Sequence, residues 1–331
     1  QMCIIVSIYS GSLTYIISLL QGIKKNPPKK KTYIFINKKI FDLHQDLIRK
    51  CKNLIIIKVP EFYTLSYFKI FWIQIVLPLK LKKLKIEKLL SPLNICPLVS
   101  NYFKIKTTLI LHSNLPWVKF NLMPGNFIKK KIIKYFMQKS LEKCDHIVCV
   151  SKTSKEELSK ILKPNFRKKI KYLYLSLNEE FYKKKNNHYL KNVKYEQDYI
   201  LSICSCAKYH NILKLIQSFD VFIKKYNTNL KFYLVLTILD QIYFDEIMSY
   251  INKKKLQNKV KIILNLNSRF LFNLYKYSNA YIFSSYSESF GYTSLEAMKM
   301  SCPGAISNHS SSKEINGNAA LYFNPNYVND I

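Results

Sequence analysis

Glycine and acidic residues are both scarce in this sequence. Only 6 of its 331 residues are Gly, and 20 Asp and Glu stand against 53 Lys and Arg, which gives a formal net charge of +33. A chain that is 48% hydrophobic can still bury a sizeable core, and its length indicates two domains. Ile, Asn, Tyr and Phe are abundant beside Lys, so AT-rich coding would explain part of the charge.

Several motifs that would assign other functions are missing. The eight Cys include no CxxC pair, which disfavours a metal site and is typical of reduced thiols in a cytosolic protein. The N-terminus lacks the order of basic, apolar and small residues that marks a secretory signal. No zinc-finger spacing or RNP-like aromatic motif occurs, so we expect no nucleic-acid partner.

The basic residues are concentrated in the front of the chain. Residues 1–195 contain 39 Lys and Arg and 10 Asp and Glu, whereas residues 196–331 contain 14 and 10. Coding bias and attraction to an anionic membrane surface both remain open as explanations. We expect a cytoplasmic protein that binds peripherally to the inner face of a membrane.

The most apolar stretch is residues 62–79. It contains Lys69, Gln74 and Pro78. Because Lys and Gln near the centre of a span would be costly in hydrocarbon, we expect a buried or interfacial helix there and not a transmembrane one.

Short apolar runs alternate with helical patterns along the chain, which is typical of an α/β protein with parallel sheets. Strands are predicted first at residues 3–7, 32–36, 54–58, 107–111, 146–150 and 171–175, then at 199–203, 230–236, 260–264, 280–284 and 304–307. A polar stretch at residues 182–197 separates the two sets. We therefore predict two Rossmann-like, doubly wound domains, residues 1–190 and 191–331, facing each other across a cleft.

The predicted strand at residues 280–284 leads directly into a loop and a helix. Glu288 lies in the loop, Gly291 near the helix start, and Glu296 within the helix, which Pro303 prevents from extending. Unpaired amides at a helix N-terminus favour a phosphate, and Gly lets the backbone approach it closely. Carboxylates accept paired hydrogen bonds from vicinal sugar hydroxyls. This segment predicts a sugar-nucleotide site.

The segment resembles the Glu-x7-Glu motif of glycosyltransferase family 4, retaining enzymes with the GT-B fold, and the match continues through Glu296-Ala-Met and Cys302-Pro. The resemblance implies that Glu296 holds the nucleotide ribose and that Glu288 lies against the donor sugar. The loop residues Ser289, Phe290, Gly291 and Tyr292 would bind the donor diphosphate through their amides. The family normally continues beyond the position of Ile331, so we expect the second domain to be truncated.

The same resemblance extends to other strand ends. Where the family places an Arg or Ser and then a Lys for the leaving diphosphate, this chain has Ser205 and His210, with Lys208 as an extra cation. His210 could equally be an exposed residue at a helix start, and a single Lys is weak evidence in so basic a chain. His112 resembles the family's strand-end His, which faces the donor sugar.

Glycine positions of the family are also altered here. After the first strand, Gly11 and Ser12 replace a Gly-Gly turn that contacts phosphate or acceptor, although a plain turn is as consistent with them. Ser176, Asn265 and Ser301 stand where the family favours Gly, and any of them at positive φ would cost stability.

Together these residues predict a retaining glycosyltransferase that uses a nucleoside-diphosphate sugar and a glycan or lipid-linked acceptor, in cell-surface polysaccharide or lipopolysaccharide-type synthesis. No Asp-x-Asp occurs, so we expect no metal and no other cofactor. An inactive GT-B binding protein and a GT-B nucleotide-sugar epimerase remain as alternatives.

Overall fold

A computed structural model describes residues 2–6, 11–64, 66–177, 181, 198–266 and 268–331. The chain forms two compact units. The first comprises Gln1–Asn114 and Lys131–Glu179, and the second comprises Leu115–Lys130 and Glu180–Ile331. The boundary predicted between residues 190 and 191 lies outside the described residues and stays a prediction.

The first unit contains a parallel sheet of seven strands. In chain order they are β1 (Met2–Val6), β2 (Thr32–Asn37), β3 (Leu54–Val59), β4 (Lys88–Ser91), β5 (Lys106–Leu111), β6 (His146–Cys149) and β7 (Ile170–Tyr172). Their spatial order is β3-β2-β1-β4-β5-β6-β7. Because the order reverses direction between β1 and β4, the carboxyl ends of β1, β4 and β5 meet where ligands bind in sheets of this type.

Helices connect these strands. They are α1 (Gly11–Lys25), α2 (Lys38–Arg49), α3 (Ser66–Phe71), α4 (Leu77–Lys83), α5 (Leu115–Val118), α6 (Phe127–Lys143), α7 (Lys152–Ile161) and α8 (Pro164–Arg167). Of these, α5 belongs to the second unit and α6 begins there. A core of aliphatic side chains joins β1 and β2 to α1 and α2 and includes Ile4, Ile16, Leu20, Ile34, Ile36, Ile40 and Ile48.

The second unit contains a parallel sheet of six strands. They are β8 (Tyr199–Cys206), β9 (Lys231–Ile238), β10 (Val260–Leu264), β11 (Ala280–Phe283), β12 (Gly304–Ser307) and β13 (Ala320–Phe323), in the spatial order β10-β9-β8-β11-β12-β13. The connecting helices are α9 (Ile212–Tyr226), α10 (Gln241–Lys253), α11 (Ser268–Tyr277), α12 (Tyr292–Lys299) and α13 (Ser312–Asn316). The order reverses between β8 and β11, so the loops after these two strands lie side by side.

The predicted strands are all present, with ends that differ by up to three residues. The predicted first strand includes Ser7, which lies outside the described residues. The prediction missed β4, because Lys88–Ser91 is too short to show periodicity. The apolar runs did not predict β13, although the family resemblance places a loop and strand at residues 318–325. The prediction also ended β8 too early, since pairing with β9 continues to Cys206.

In the apolar stretch at residues 62–79, residues 62–64 and 66–79 form helical turns, as predicted. The α-helix α3 passes into a π-helical turn, Trp72–Val76, and then into α4. The polar side chain of Gln74 is satisfied within this run. Its Nε2 donates to the carbonyl of Cys96 at 3.0 Å, and its Oε1 accepts from the backbone amide of Leu98 at 3.0 Å. Among the described residues, no helix has the length and apolarity needed to cross a bilayer.

Scarce glycine leaves other residues in the left-handed region. Two of the residues that stand where the family favours Gly, Asn265 and Ser301, have positive φ angles of 51° and 56°. The third, Ser176, does not have a positive φ. Lys85 and Lys255 adopt φ of 52° and 56°. Asn tolerates this conformation, but Lys and Ser place a Cβ where it is crowded.

Three of these residues follow helices with the same geometry. After α10, the amide of Lys255 bonds the carbonyl of Asn252 and the amide of Leu256 bonds that of Ile251, which is a Schellman motif with Lys at the position usually held by Gly. The chain repeats this pattern at Lys85 after α4 and at Ser301 after α12. These helix ends therefore carry strain that Gly would remove.

We predict that Lys85→Gly, Lys255→Gly and Ser301→Gly each raise the free energy of unfolding by about 0.5–1 kcal/mol, since relief of left-handed strain exceeds the entropy that Gly adds to the unfolded chain. Urea denaturation measures the change. The matched control is Lys253→Gly, inside the last turn of α10, which should lower stability by about 1 kcal/mol. Destabilisation by Lys255→Gly would contradict the prediction.

Candidate functional site

The loops at the carboxyl ends of β8, β11 and β12 are bonded to one another through serine hydroxyls. Ser284 donates to the carbonyl of His210 at 3.0 Å, and Ser285 donates to that of Tyr209 at 3.1 Å. Ser307, at the end of β12, donates to the carbonyl of Ser285 at 2.6 Å. The loop that follows β11 is therefore held from both sides.

Glu288 lies in this loop and is partly buried. Burial raises the pKa of Glu288 to about 7, although the backbone amides of Phe290, Ser289 and Gly291 donate hydrogen bonds to its carboxylate and act to lower that pKa. Ser311 fixes the same residue from the next loop, because its hydroxyl donates to the carbonyl of Glu288 at 2.8 Å. These are the same loop amides that the resemblance assigns to the donor diphosphate.

Gly291 makes this turn possible. It precedes Tyr292, the first residue of α12, with φ of 88°, and a Cβ at this position would lie 3.1 Å from Oγ of Ser294. That hydroxyl already donates to the carbonyl of Gly291 at 2.8 Å. A side chain at residue 291 would therefore meet both backbone strain and a fixed neighbour.

Glu296 lies within α12 and is almost completely buried, with 6% of its surface exposed. Its carboxylate accepts a hydrogen bond of 2.9 Å from the hydroxyl of Tyr275 on α11. Burial raises the pKa of Glu296 to about 7, while the Tyr275 hydroxyl acts to lower it. Tyr275 was missed by sequence reasoning, because nothing in the pattern of α11 distinguishes it from the neighbouring Tyr277.

Three residues expected to bind the leaving diphosphate lie on β8 or just after it: Ser205, Lys208 and His210. Ser205 lies on β8 opposite Thr237 of β9, and not in a loop as predicted, because the strand is longer than expected. Lys208 is about half exposed, and its Nζ lies 3.8 Å from the carboxylate of Glu246 on α10. Lys208 is thus paired at the surface.

His210 is buried, so its interpretation as an exposed residue at a helix start was wrong. It ends a 3₁₀ turn, Lys208–His210, and its ring packs 4.1 Å from that of Tyr209 and 5.7 Å from that of Phe283. Burial lowers the pKa of His210 to about 3, which keeps the imidazole neutral. Its Nδ1 lacks a hydrogen-bond partner among the described residues.

A second polar cluster lies at the carboxyl edge of the first sheet. The amide of His112, just after β5, donates to the side-chain oxygen of Asn94 at 2.6 Å, and the His112 ring packs edge-on against Tyr15 of α1 at 5.0 Å. Burial lowers the pKa of His112 to about 4. Its Nε2 is buried and has no partner in the described part of the chain. Asn94 was not predicted.

Gly11 and Ser12 lie in the first turn of α1, which begins at Gly11. The residues that join them to β1, 7–10, are outside the described part of the chain. Their interpretation as a phosphate or acceptor turn therefore stays a prediction.

Within the second unit, the structure gathers Ser289, Phe290, Gly291 and Tyr292 around Glu288 and places Glu296 on the helix that follows. The phenyl ring of Phe290 is buried and lies 5.5 Å from the Tyr292 ring. Within the first unit, the His112 ring contacts Tyr15 on α1, the helix that begins at Gly11.

A carboxylate beside a helix start, a second carboxylate within that helix and a parallel sheet behind both agree with a known family. Residues 183–331 match the model described as Glycosyl transferases group 1. The matched segment contains Glu288, Glu296 and the serine-bonded loops.

A curated protein extends the likeness. Over 203 residues the chain is 26% identical to the O-antigen chain mannosyltransferase RfbU of Salmonella typhimurium. This aligned region covers 61% of this chain and 53% of that protein. The chain thus spans about half the length of the curated relative that it matches.

Solved structures show the same fold. A structure of Anabaena Alr3699/HepE in complex with UDP and glucose has a TM-score of 0.74 at 12% identity, with 100% of this chain and 87% of that chain covered. A glycosyltransferase from Rickettsia africae has a TM-score of 0.65 at 16% identity, covering 100% and 86%. The two parallel-sheet units, of seven and six strands, match the fold of GT-B glycosyltransferase structures.

We predict that Glu296 makes stability depend on pH. Its pKa is raised from 4.5 to about 7 in the folded chain, so its contribution to folding is complete below about pH 4.5 and is lost as pH rises through 7. The slope contributed by one such group is at most about 1.4 kcal/mol per pH unit. Denaturation of the wild type and Glu296→Gln between pH 5 and 8 measures it.

The difference between the two proteins is the quantity to compare, because the lowered pKa values of His112 and His210 act in the opposite direction at acidic pH. We expect the wild type to lose stability relative to Glu296→Gln as pH rises. A difference that does not vary with pH would contradict a raised pKa at Glu296.

We predict that Tyr275→Phe raises the pKa of Glu296 further and lowers the free energy of unfolding by about 1–3 kcal/mol, because it leaves a buried carboxylate without its donor. Carboxyl NMR titration measures the pKa, and Glu296→Gln identifies the resonance. Tyr277→Phe, on the exposed end of the same helix, is the control and should leave that titration unchanged. A downward shift in Tyr275→Phe would contradict this assignment.

Proposed function

We propose that this chain is a retaining glycosyltransferase of family 4 that transfers a sugar from a nucleoside-diphosphate donor to an acceptor hydroxyl. The observation that carries the proposal is the pair of glutamates, Glu288 and Glu296, at the carboxyl edge of the β8, β11 and β12 strands. Both lie in the segment that follows β11, and an ionised carboxylate accepts paired hydrogen bonds from vicinal sugar hydroxyls.

The donor would be held by three groups of contacts. Glu296 would accept the ribose hydroxyls, and Glu288 would lie against the sugar. The diphosphate would approach the start of α12, where the helix dipole favours negative charge. Because Glu288 already occupies the amides of Ser289, Phe290 and Gly291, the donor would have to share those amides or displace the carboxylate.

Stabilisation of the departing diphosphate is the weakest part of this site. His210 is neutral, Ser205 carries no charge, and Lys208 is engaged with Glu246. Removal of a well-placed donor to a developing charge typically costs about 10²–10³ in rate. This specific observation favours a second candidate function, an inactive GT-B domain that binds a nucleotide-sugar without transferring it. His112, in the first unit, keeps its expected role towards the sugar or acceptor as part of the proposal.

The donor and acceptor follow from the relatives. The Anabaena protein was solved with UDP and glucose, and RfbU is named for mannosyl transfer to O-antigen chains. We therefore propose UDP-glucose and a nucleotide-activated mannose as the first donors to test, with a lipid-linked polysaccharide or lipopolysaccharide-type glycan as acceptor. The lysine-rich front of the chain would attract the anionic inner face of a membrane. With no Asp-x-Asp in the sequence, we propose a metal-independent reaction.

We predict that Glu296→Gln weakens donor binding by about 10–100-fold, since it removes charged hydrogen bonds to the ribose. Calorimetry with UDP- and GDP-sugars measures binding. Release of the nucleoside diphosphate measures turnover, with a chelator present because the proposed reaction is metal-independent. The matched control is Glu156→Gln, the same change at an exposed position of α7, which should bind like the wild type.

The outcomes separate the candidate functions. Binding with transfer to an acceptor supports the proposal, and retention is read from the anomeric configuration of the product. Binding without turnover supports the inactive domain, whereas conversion of the donor without acceptor indicates an epimerase. Absence of binding to every nucleotide-sugar would overturn the proposed function.

A further inference from the structure

The helical run from α3 to α4 exposes a row of large apolar side chains. Phe62, Phe68, Phe71 and Ile75 are each 51% exposed, and Leu79 is 61% exposed. The last four are spaced by three or four residues, so they share one side of the run. We call these five residues the α3–α4 face. Contiguous apolar surface of this kind marks an interaction site.

The opposite side of the same run anchors it to the first unit. Trp72, Ile73, Leu77 and Leu81 are buried there, and Trp72 packs edge-on against Phe35 of β2 at 5.7 Å. Gln74 adds two hydrogen bonds to the loop at residues 96–98. Because the inner side is fixed in this way, the run cannot turn the α3–α4 face inward without losing its own core.

The charged residues within the helical run have one sign, although Glu61 directly precedes it and Glu87 follows it. Residues 62–86 contain five Lys and no Asp or Glu. Four of these lysines, Lys80, Lys82, Lys83 and Lys85, are exposed and lie at the end of α4 and just beyond it. Aromatic and aliphatic side chains on one face with Lys beside them are the composition of helices that lie in a membrane interface.

We propose that the α3–α4 face inserts into the surface of an anionic bilayer, with the helical run lying in the plane of the membrane and its lysines against the lipid phosphates. The run from Ser66 to Lys83 would be about 27 Å long at the rise of an α-helix. Insertion buries such a face about 5–10 Å into the boundary between headgroups and acyl chains. The positive charge on the same surface favours this occupant over a second copy of the chain, since two copies would bring like charges together.

This inference deepens the membrane association proposed above and is independent of the donor site. Attraction through charge alone involves lysines throughout the front of the chain and requires no particular apolar residue. Insertion, by contrast, depends on the α3–α4 face. The two are distinguished by their response to salt, because screening weakens charge attraction and leaves apolar insertion.

The test replaces the centre of the face with a polar residue that suits a helix, in the triple variant Phe71→Gln, Ile75→Gln, Leu79→Gln. The matched control is Leu43→Gln, Ile242→Gln, Leu321→Gln, which changes three scattered apolar residues that are 67%, 78% and 77% exposed. Co-sedimentation with phosphatidylcholine vesicles, with and without phosphatidylglycerol, is measured at low and high salt. Circular dichroism and thermal unfolding check that each variant is folded.

We expect wild type to bind the phosphatidylglycerol vesicles, the triple variant to bind at least about tenfold more weakly at both salt concentrations, and the control to bind within about twofold of wild type. In a separate variant, Phe71→Trp, the added fluorescence should shift to the blue and be quenched by spin-labelled lipids. This second measurement keeps the inference testable if the triple variant is unstable.

Equal binding of the triple variant and wild type would show attraction by charge alone and overturn insertion. No binding by wild type would overturn insertion and membrane association together, and would leave the donor-site proposal untouched. Light scattering without lipid covers the remaining occupant: a wild-type dimer that the triple variant abolishes would show that the face joins two copies of the chain.

Discussion

A carboxylate has to be accommodated where β11 passes into α12, and this constraint organises the second unit. The amides of Ser289, Phe290 and Gly291 lower the pKa of Glu288 against the effect of burial, and the loop ends at Gly291 with a φ of 88°. The neighbouring loops then fix that turn through Ser285, Ser307 and Ser311. Glu296 lies on α12, which follows this loop, and its carboxylate is bonded to Tyr275 of α11.

The sequence was sufficient to predict two sets of alternating strands and the Glu288 segment, because buried parallel strands are written as short apolar runs. It was insufficient at β4, whose four residues are too few for a periodic pattern, and at Ser205, where polar residues continue a strand whose apolar run has ended. Tyr275 and Asn94 could not be found, since their roles come from partners 21 and 18 residues away.

His210 shows a different limit. Its position suggested either a solvent-exposed residue or a phosphate ligand, and the choice depends on burial, which follows from packing against Tyr209 and Phe283. Once buried, the imidazole is neutral and contributes shape and a hydrogen-bonding atom in place of charge. The scarcity of glycine is a comparable case, because the residue types were visible in the sequence but the left-handed φ of Lys85 and Lys255 were not.

The π-helical turn at Trp72–Val76 has a consequence for how this region tolerates changes of length. The amide of Leu77 reaches back to the carbonyl of Trp72, five residues earlier, so the turn contains one residue more than an α-helix would. Deleting a residue there would turn this bond into the i→i−4 bond of an α-helix and leave α4 facing the same way. Leu77 and Leu81 would stay in the core, so this turn can absorb a one-codon deletion that would rotate the following residues by about 100° if it fell in a regular α-helix.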